Sequence, residues 1–250
     1  MPFYERGNVR IHYEEAGRGY PLLLLAPGGL NSALGNWERL AAFNPLDVFE
    51  DDFRMIAMDQ RNANNGTSTG PVPTQNPWDA FLTDQLGLMD DLGIHDFFAL
   101  GFCIGCSYAL GLAQKAPDRV TAAVLCQPIG HRPEDPDVMF ESGLAWGKDF
   151  RATHPEVAQQ TIEALLHGMY RARADFVYSV SREFVASCQT PLLVLPGNDR
   201  PHPHEVGVAV ADLAPNAERL DPWKAPELIP QTVERIRAFL RQNTPARAVR

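Results

Sequence analysis

Basic residues are in short supply: 22 lysines and arginines stand against 31 aspartates and glutamates, a formal net charge of −9. That deficit argues against nucleic acid or an anionic membrane as a partner, because both are bound through a basic surface. Cysteine is scarce too, with four in 250 residues, at positions 103, 106, 126 and 188. Four are too few for a disulfide framework, and a reducing compartment would keep them as thiols. No apolar run approaches the roughly 18 residues that a bilayer-spanning helix needs. The segment Met1-Pro2-Phe3-Tyr4-Glu5-Arg6 lacks the shape of a signal peptide, so a cytoplasmic protein is the expectation. Internal repeats and low-complexity tracts are missing as well. One sizeable domain remains, and 45% hydrophobic content is ample for its core.

What is present is an alternation of strand-like and helix-like stretches. Asn8 to Glu15 alternates polar and apolar side chains, as an early antiparallel strand does, and Pro21 to Ala26 is continuously apolar, as a buried strand is. Trp37 to Phe49 reads as an imperfect helix, Phe53 to Asp59 as a strand, Trp78 to Leu92 as a helix and Val120 to Cys126 as a further buried strand. Between about Gly130 and Cys188 the rhythm breaks into a helix-rich insertion carrying Met139, Phe140, Leu144, Trp146 and Phe150, then Val157 to Tyr170. It resumes at Pro191 to Gly197, with helices predicted over Glu205 to Leu213 and Ala225 to Leu240 around a short strand at Ala217 to Leu220. This order predicts an α/β fold, a mostly parallel doubly wound sheet flanked by helices, with a core over 1–129 and 189–250 and a helical cap over 130–188. The cap is expected to close an apolar pocket.

The chain is organised around Phe97 to Leu110. An apolar run ends at Gly101-Phe102-Cys103-Ile104-Gly105, and the small and apolar residues that follow read as the first turns of a helix. Strand and helix crowd at such a turn, which explains the two glycines, and Cys103 stands at its apex. A thiol there lies at a helix N-terminus, where the macrodipole and free N–H groups favour a thiolate. Pro27-Gly28-Gly29 follows a buried strand and could turn N–H groups toward an anion, although an ordinary turn has the same composition. Two other patterns compete for the same cysteine. Cys103-Ile104-Gly105-Cys106 has the spacing of a redox pair. Cys103 with Asp199, His202 and His204, helped by Cys106, has donors for zinc or another borderline metal.

Taken in order, the Pro27-Gly28-Gly29 turn, the Asp59-Gln60-Arg61-Asn62 loop, the Gly-x-Cys-x-Gly elbow, the cap insertion and the strand ending in Gly197-Asn198-Asp199 resemble the α/β-hydrolase-fold family over roughly residues 8 to 241. The resemblance implies Cys103 as nucleophile in place of serine, an oxyanion hole from the N–H groups of Gly29 and Ile104, Asp199 as triad acid, and no cofactor. One departure is sharp. In this family the base is a histidine just after the last strand, here Leu220 to Pro226, and no histidine occurs after His204. An ordinary serine-type triad cannot be written on this chain, although a thiol, which ionises more readily than a hydroxyl, softens the loss. Seven histidines remain as candidates, at 12, 95, 131, 154, 167, 202 and 204. His12 and His95 read as structural or exposed, and His154 and His167 belong to the cap. His131 follows the strand after the elbow, where some members of this fold keep a triad residue. His202 sits between prolines on a loop at the sheet edge that carries sites in such folds, and is the preferred base. Lys224, in the expected histidine segment, is a further candidate if buried.

Three readings follow. The preferred one is a hydrolase cleaving a small, largely apolar ester, thioester or lactone through a Cys103 acyl-enzyme, with Gly28, Trp37, Trp146 and Tyr170 touching substrate. The second is a protein that keeps the fold but has lost hydrolysis, and binds a ligand or performs proton-transfer or elimination chemistry. The third is the metal site. Asp59 and Arg61 lie near the same sheet edge, and either substrate contact or loop structure accounts for them. The expected partner is a small molecule, with a homodimer left open and no metal in the preferred reading.

Overall fold

In the computed structural model, which describes residues 1–246, the apolar runs become eight strands: β1 (Phe3–Arg6), β2 (Val9–Ala16), β3 (Tyr20–Leu25), β4 (Phe53–Met58), β5 (Phe97–Phe102), β6 (Val120–Cys126), β7 (Leu192–Leu195) and β8 (Ala217–Arg219). They form one sheet in the order β1-β2-β4-β3-β5-β6-β7-β8. β1 and β2 run antiparallel at one edge, and every pair from β4 onward is parallel. The connecting helices are α1 (Asn36–Arg39), α2 (Pro45–Val48), α3 (Pro77–Asp91), α4 (Ile104–Lys115), α5 (Val138–Thr153), α6 (Gln159–Tyr170), α7 (Arg182–Ser187), α8 (His204–Leu213) and α9 (Ile229–Gln242).

Both faces of the sheet are covered, which is why its central strands are apolar at every position rather than at alternate ones. Leu22 and Leu24 of β3 face Trp37, Phe49, Trp223 and the Val233, Ile236, Phe239 and Leu240 stripe of α9. Leu23 and Leu25 face the other way, into a larger core built from α3, α4, α8 and the cap helices α5 to α7. The segment carrying α5 to α7 shares this core, with Ile162, Leu165, Leu166 and Met169 of α6 buried where that helix packs on α5 and α3. Among the described residues no helix is long and apolar enough to cross a membrane.

Two local expectations change. The single helix over Trp37 to Phe49 is two short ones, because Asn44 caps a new start by accepting the Leu46 N–H at 3.1 Å, with Pro45 at the first helical position. An unforeseen strand, β1, pairs with β2 across a turn at Gly7, whose φ is +58°.

Strand and helix backbones crowd at the turn between β5 and α4. A Cβ on Gly101 would lie 2.3 Å from the Gly105 carbonyl, and one on Gly105 would lie 2.1 Å from the Leu25 oxygen. Neither position accepts another residue without moving backbone. Cys103 itself has φ +59° and ψ −120°, a conformation that costs on the order of 1–3 kcal/mol and persists only where neighbours enforce it. The Cys103 N–H donates to the Cys126 carbonyl at 3.0 Å, and its own carbonyl accepts from Cys106 N–H at 3.1 Å.

Candidate active site

The strained backbone lifts the Cys103 side chain away from the sheet into a cavity of about 730 Å³. Gly28 and Gly29, Gln127, Met139 and Ser142 of α5, and the turn Asp199-Arg200-Pro201-His202 border it. That turn follows β7 and is closed by paired backbone hydrogen bonds between Asp199 and His202. It brings the two side chains together: His202 Nδ1 donates to Asp199 Oδ1 at 2.5 Å. Nδ1 is thereby committed, which leaves Nε2 to face the cavity. Nε2 is buried and completes no hydrogen bond of ordinary geometry in the resting site; its electrostatic partner is the Cys103 thiol.

The charges of this pair are mutually supporting. Burial alone would push the Cys103 thiol up, but the His202 charge, its reach as a donor, and the N–H groups of Gly28 and Ile104 outweigh it and hold the thiol below its ordinary value. Burial would likewise depress His202, yet the Cys103 sulfur and then Asp199 raise it above the usual imidazole value. A thiolate beside an imidazolium is the state these shifts favour. Because the two groups titrate together, the apparent values belong to the pair.

The remaining candidates lie elsewhere. Gly28, expected to touch substrate, supplies an N–H at the sulfur beside that of Ile104; Gly29, expected to supply it, borders the same cavity one residue on. Tyr170 is fully buried and close enough to Cys103 for the sulfur's charge to help burial raise its phenol. Trp146 donates to the Asn62 carbonyl at 3.0 Å and stacks on Phe150, tying α5 to the loop after β4. Trp37 lies in the core on the other face of the sheet, edge-on to Phe102 at 5.7 Å, and does not border the cavity. Asp59 and Arg61 are loop anchors: Asp59 accepts from the N–H groups of Leu34 and Thr67 and from His12, and Arg61 forms a fork on buried Asp84 at 2.7 and 2.9 Å.

Of the seven histidines, all among the described residues, His202 alone meets Cys103. His12 is paired with Asp59, His95 is exposed, His154 stacks on Phe150 and His167 lies on the outer face of α6. The N–H of His131 bonds the Phe176 carbonyl, and its ring stands edge-on to Tyr178. His204 turns to Asp221 at 2.6 Å. That divergence separates it from the proposed metal donors, and among the described residues no three His, Cys, Asp or Glu side chains converge as a metal cage. Cys106 points into the sheet, donating to the Gly101 and Cys126 carbonyls at 3.2 Å, and burial holds its thiol well above the usual range. It is a packed small residue, not a second cavity thiol.

In the segment after β8, Trp223 is buried and donates to the Pro196 carbonyl at 2.7 Å, and Lys224 reaches Asp199 Oδ2 and Gln127 Oε1, each at 3.4 Å. Lys224 therefore contacts the carboxylate through the oxygen that His202 leaves free. Gln127 was missed by sequence reasoning. It lies directly after β6 in the left-handed region, φ +47°, and the rule that open α/β sheets build sites at the carboxyl ends of their strands would have found it.

An eight-stranded, mostly parallel sheet covered by helices on both faces, with a strand-turn-helix elbow at its centre, is the α/β-hydrolase class of fold. The chain belongs to that family: it matches the alpha/beta hydrolase fold family over residues 21–236. It is 28% identical over 169 residues to a proline iminopeptidase of Arabidopsis thaliana, covering 61% of this chain and 42% of that one. It is 28% identical over 123 residues to a 2-hydroxymuconate semialdehyde hydrolase of Pseudomonas sp. strain CF600, covering 49% and 41%. The matched part thus spans about two-fifths of the length of these curated relatives. Among solved structures, the enol-lactonase from Burkholderia xenovorans LB400 superposes with a TM-score of 0.64 at 20% identity, covering 96% of this chain and 100% of that one, a likeness of fold.

Proposed function

We propose that this protein is a cysteine hydrolase that cleaves small, largely apolar esters, thioesters or lactones, acting in the cytoplasm, where its thiols stay reduced. The observation that carries the reading is the meeting of Cys103 with the His202–Asp199 pair at one cavity. The Cys103 thiolate attacks the substrate carbonyl carbon; a C–S bond forms and the carbonyl electron pair moves to oxygen. N–H groups of Ile104 and of the Gly28–Gly29 turn stabilise that oxyanion. The tetrahedral intermediate collapses, the bond to the leaving group breaks, and the His202 imidazolium gives its proton to the departing oxygen or sulfur. Neutral His202, held by Asp199, then takes a proton from water as it attacks the thioester. Collapse releases the carboxylic acid and restores the thiolate–imidazolium pair.

The test is pre-steady-state hydrolysis of p-nitrophenyl acetate, with the acylated peptide located by mass. A burst of one nitrophenolate per chain, with the acetyl group on Cys103, supports the reading. No burst and no acyl group on Cys103 overturns it and favours a pocket that binds without hydrolysis.

A further inference from the structure

The proposed acid and base are separated by two residues, Arg200 and Pro201, and the first of these is anchored outside its own turn. Arg200 forms a fork on Asp135, Nε to Oδ2 at 2.6 Å and Nη2 to Oδ1 at 2.9 Å, and the same Nη2 reaches Glu141 Oε2 at 3.0 Å. Asp135 lies in the chain leading into α5, and Glu141 is in the first turn of α5, between Met139 and Ser142, with which it borders the cavity. Arg132, on the same lead-in, donates to the Arg200 carbonyl at 3.4 Å. Of the other acids on this lead-in, Glu134 faces Arg132 at 3.9 Å and Asp137 is held by Arg171 of α6's C-terminal end. The other side of the turn is stiffened by Pro201.

A single exposed ion pair fixes little. Here the guanidinium is planar and takes one carboxylate in two bonds and a second in a third, which sets direction as well as distance. A rotation of the turn that broke this fork would carry His202 with it, because Asp199 and His202 move as one hydrogen-bonded unit.

We propose that Arg200 is a positioning residue that clamps the Asp199–His202 turn to the cap, so that the thiol and imidazole are held together only while α5 is docked. The inference rests on the reading of Cys103 and His202 as the working pair. It makes cap position and nucleophile reactivity one variable: a substrate entering past a displaced α5 would meet an unpaired thiol, and docking would assemble the reactive site around it.

The experiment is the pH dependence of iodoacetamide alkylation at Cys103, located by peptide mass, in the parent protein, Arg200→Ala, Arg200→Lys, the cap-side double variant Asp135→Asn with Glu141→Gln, and His202→Ala. The expected result is an alkylation profile shifted toward that of a free thiol in Arg200→Ala and in the cap-side variant, with a rate at pH 6 lowered about tenfold, and a smaller shift in Arg200→Lys. The cap-side variant leaves the turn's own sequence intact, so a fall there reports the clamp and not a damaged loop. Profiles for Arg200→Ala and the cap-side variant that superimpose on the parent, while His202→Ala shifts its own, overturn the clamp alone. A His202→Ala profile identical to the parent overturns the underlying reading of the site, and the clamp with it.

Discussion

Sulfur at position 103 changes what its neighbours must do. A serine hydroxyl is deprotonated during attack, whereas the Cys103 thiol is already biased toward its anion by His202 and two N–H groups. Replacement by serine keeps the elbow but loses that bias, and ester hydrolysis should fall at least about a hundredfold, the scale of a misplaced general base, when measured as kcat/KM. The pH profile follows from the directions of the two shifts. The thiolate forms as pH rises through a thiol value held below the ordinary one, and the leaving-group proton is lost as pH rises through an imidazole value held above its ordinary one. Acylation by an unactivated alkyl ester should therefore be bell-shaped, and His202→Ala should move the rising limb toward about 8.5, the free thiol value. A rising limb left in place would mean that another group activates Cys103. At this scale the sequence was legible where one residue type does one job: the apex cysteine, its two glycines, and an acid and a histidine on a Pro-stiffened loop. It was not legible where burial decides. Trp37 and Tyr170 look alike as aromatic candidates, but Trp37 belongs to the core beneath the sheet and Tyr170 lies near the sulfur.

Elements were legible in proportion to their local signals. The parallel strands announced themselves as apolar runs between turn residues, and α9 as a stripe with helical spacing. The region from Trp37 to Phe49 misled because its apolar residues fit one helical stripe, while Asn44 and Pro45 restart the chain as a separate short helix. The elbow gives the clearest test of element packing. Gly105→Ala would place a Cβ against the Leu25 carbonyl of β3, and should cost at least about 2 kcal/mol, seen as a fall in thermal midpoint of roughly 4–8 °C for a domain of this size. The segment after β8 gives another. Trp223→Phe keeps most of the packing against Phe102 but leaves the buried Pro196 carbonyl without its donor. A loss of about 1–3 kcal/mol is expected in denaturant melts. An unchanged midpoint would show that the tryptophan is there for shape alone.

At the scale of the whole molecule, the cavity depends on segments far apart in sequence: the turn after β3, the elbow, Gln127, α5 and the turn after β7. No spacing rule records that convergence, which is why the cap could be outlined from composition while its contacts with the site could not. Met139 of α5 borders both the cavity and Gly29. Met139→Trp should fill part of the space and lower kcat/KM for longer acyl esters about tenfold, or about 1.4 kcal/mol, while iodoacetamide still alkylates Cys103 at the parental rate. Equal losses for short and long esters would argue that α5 does not bound the acyl site.

Placing Asp199 and His202 three positions apart also changes how the site comes apart. The entropy of closing a chain loop grows with its length, and a four-residue turn is nearly free to close. Under mild denaturation the hydrogen bond between carboxylate and imidazole should outlast the encounter with Cys103, which depends on the docking of β7 on β6 and of β6 on β5. Loss of thiol reactivity would then be the earliest sign that the sheet is loosening, well before the protein's helices melt.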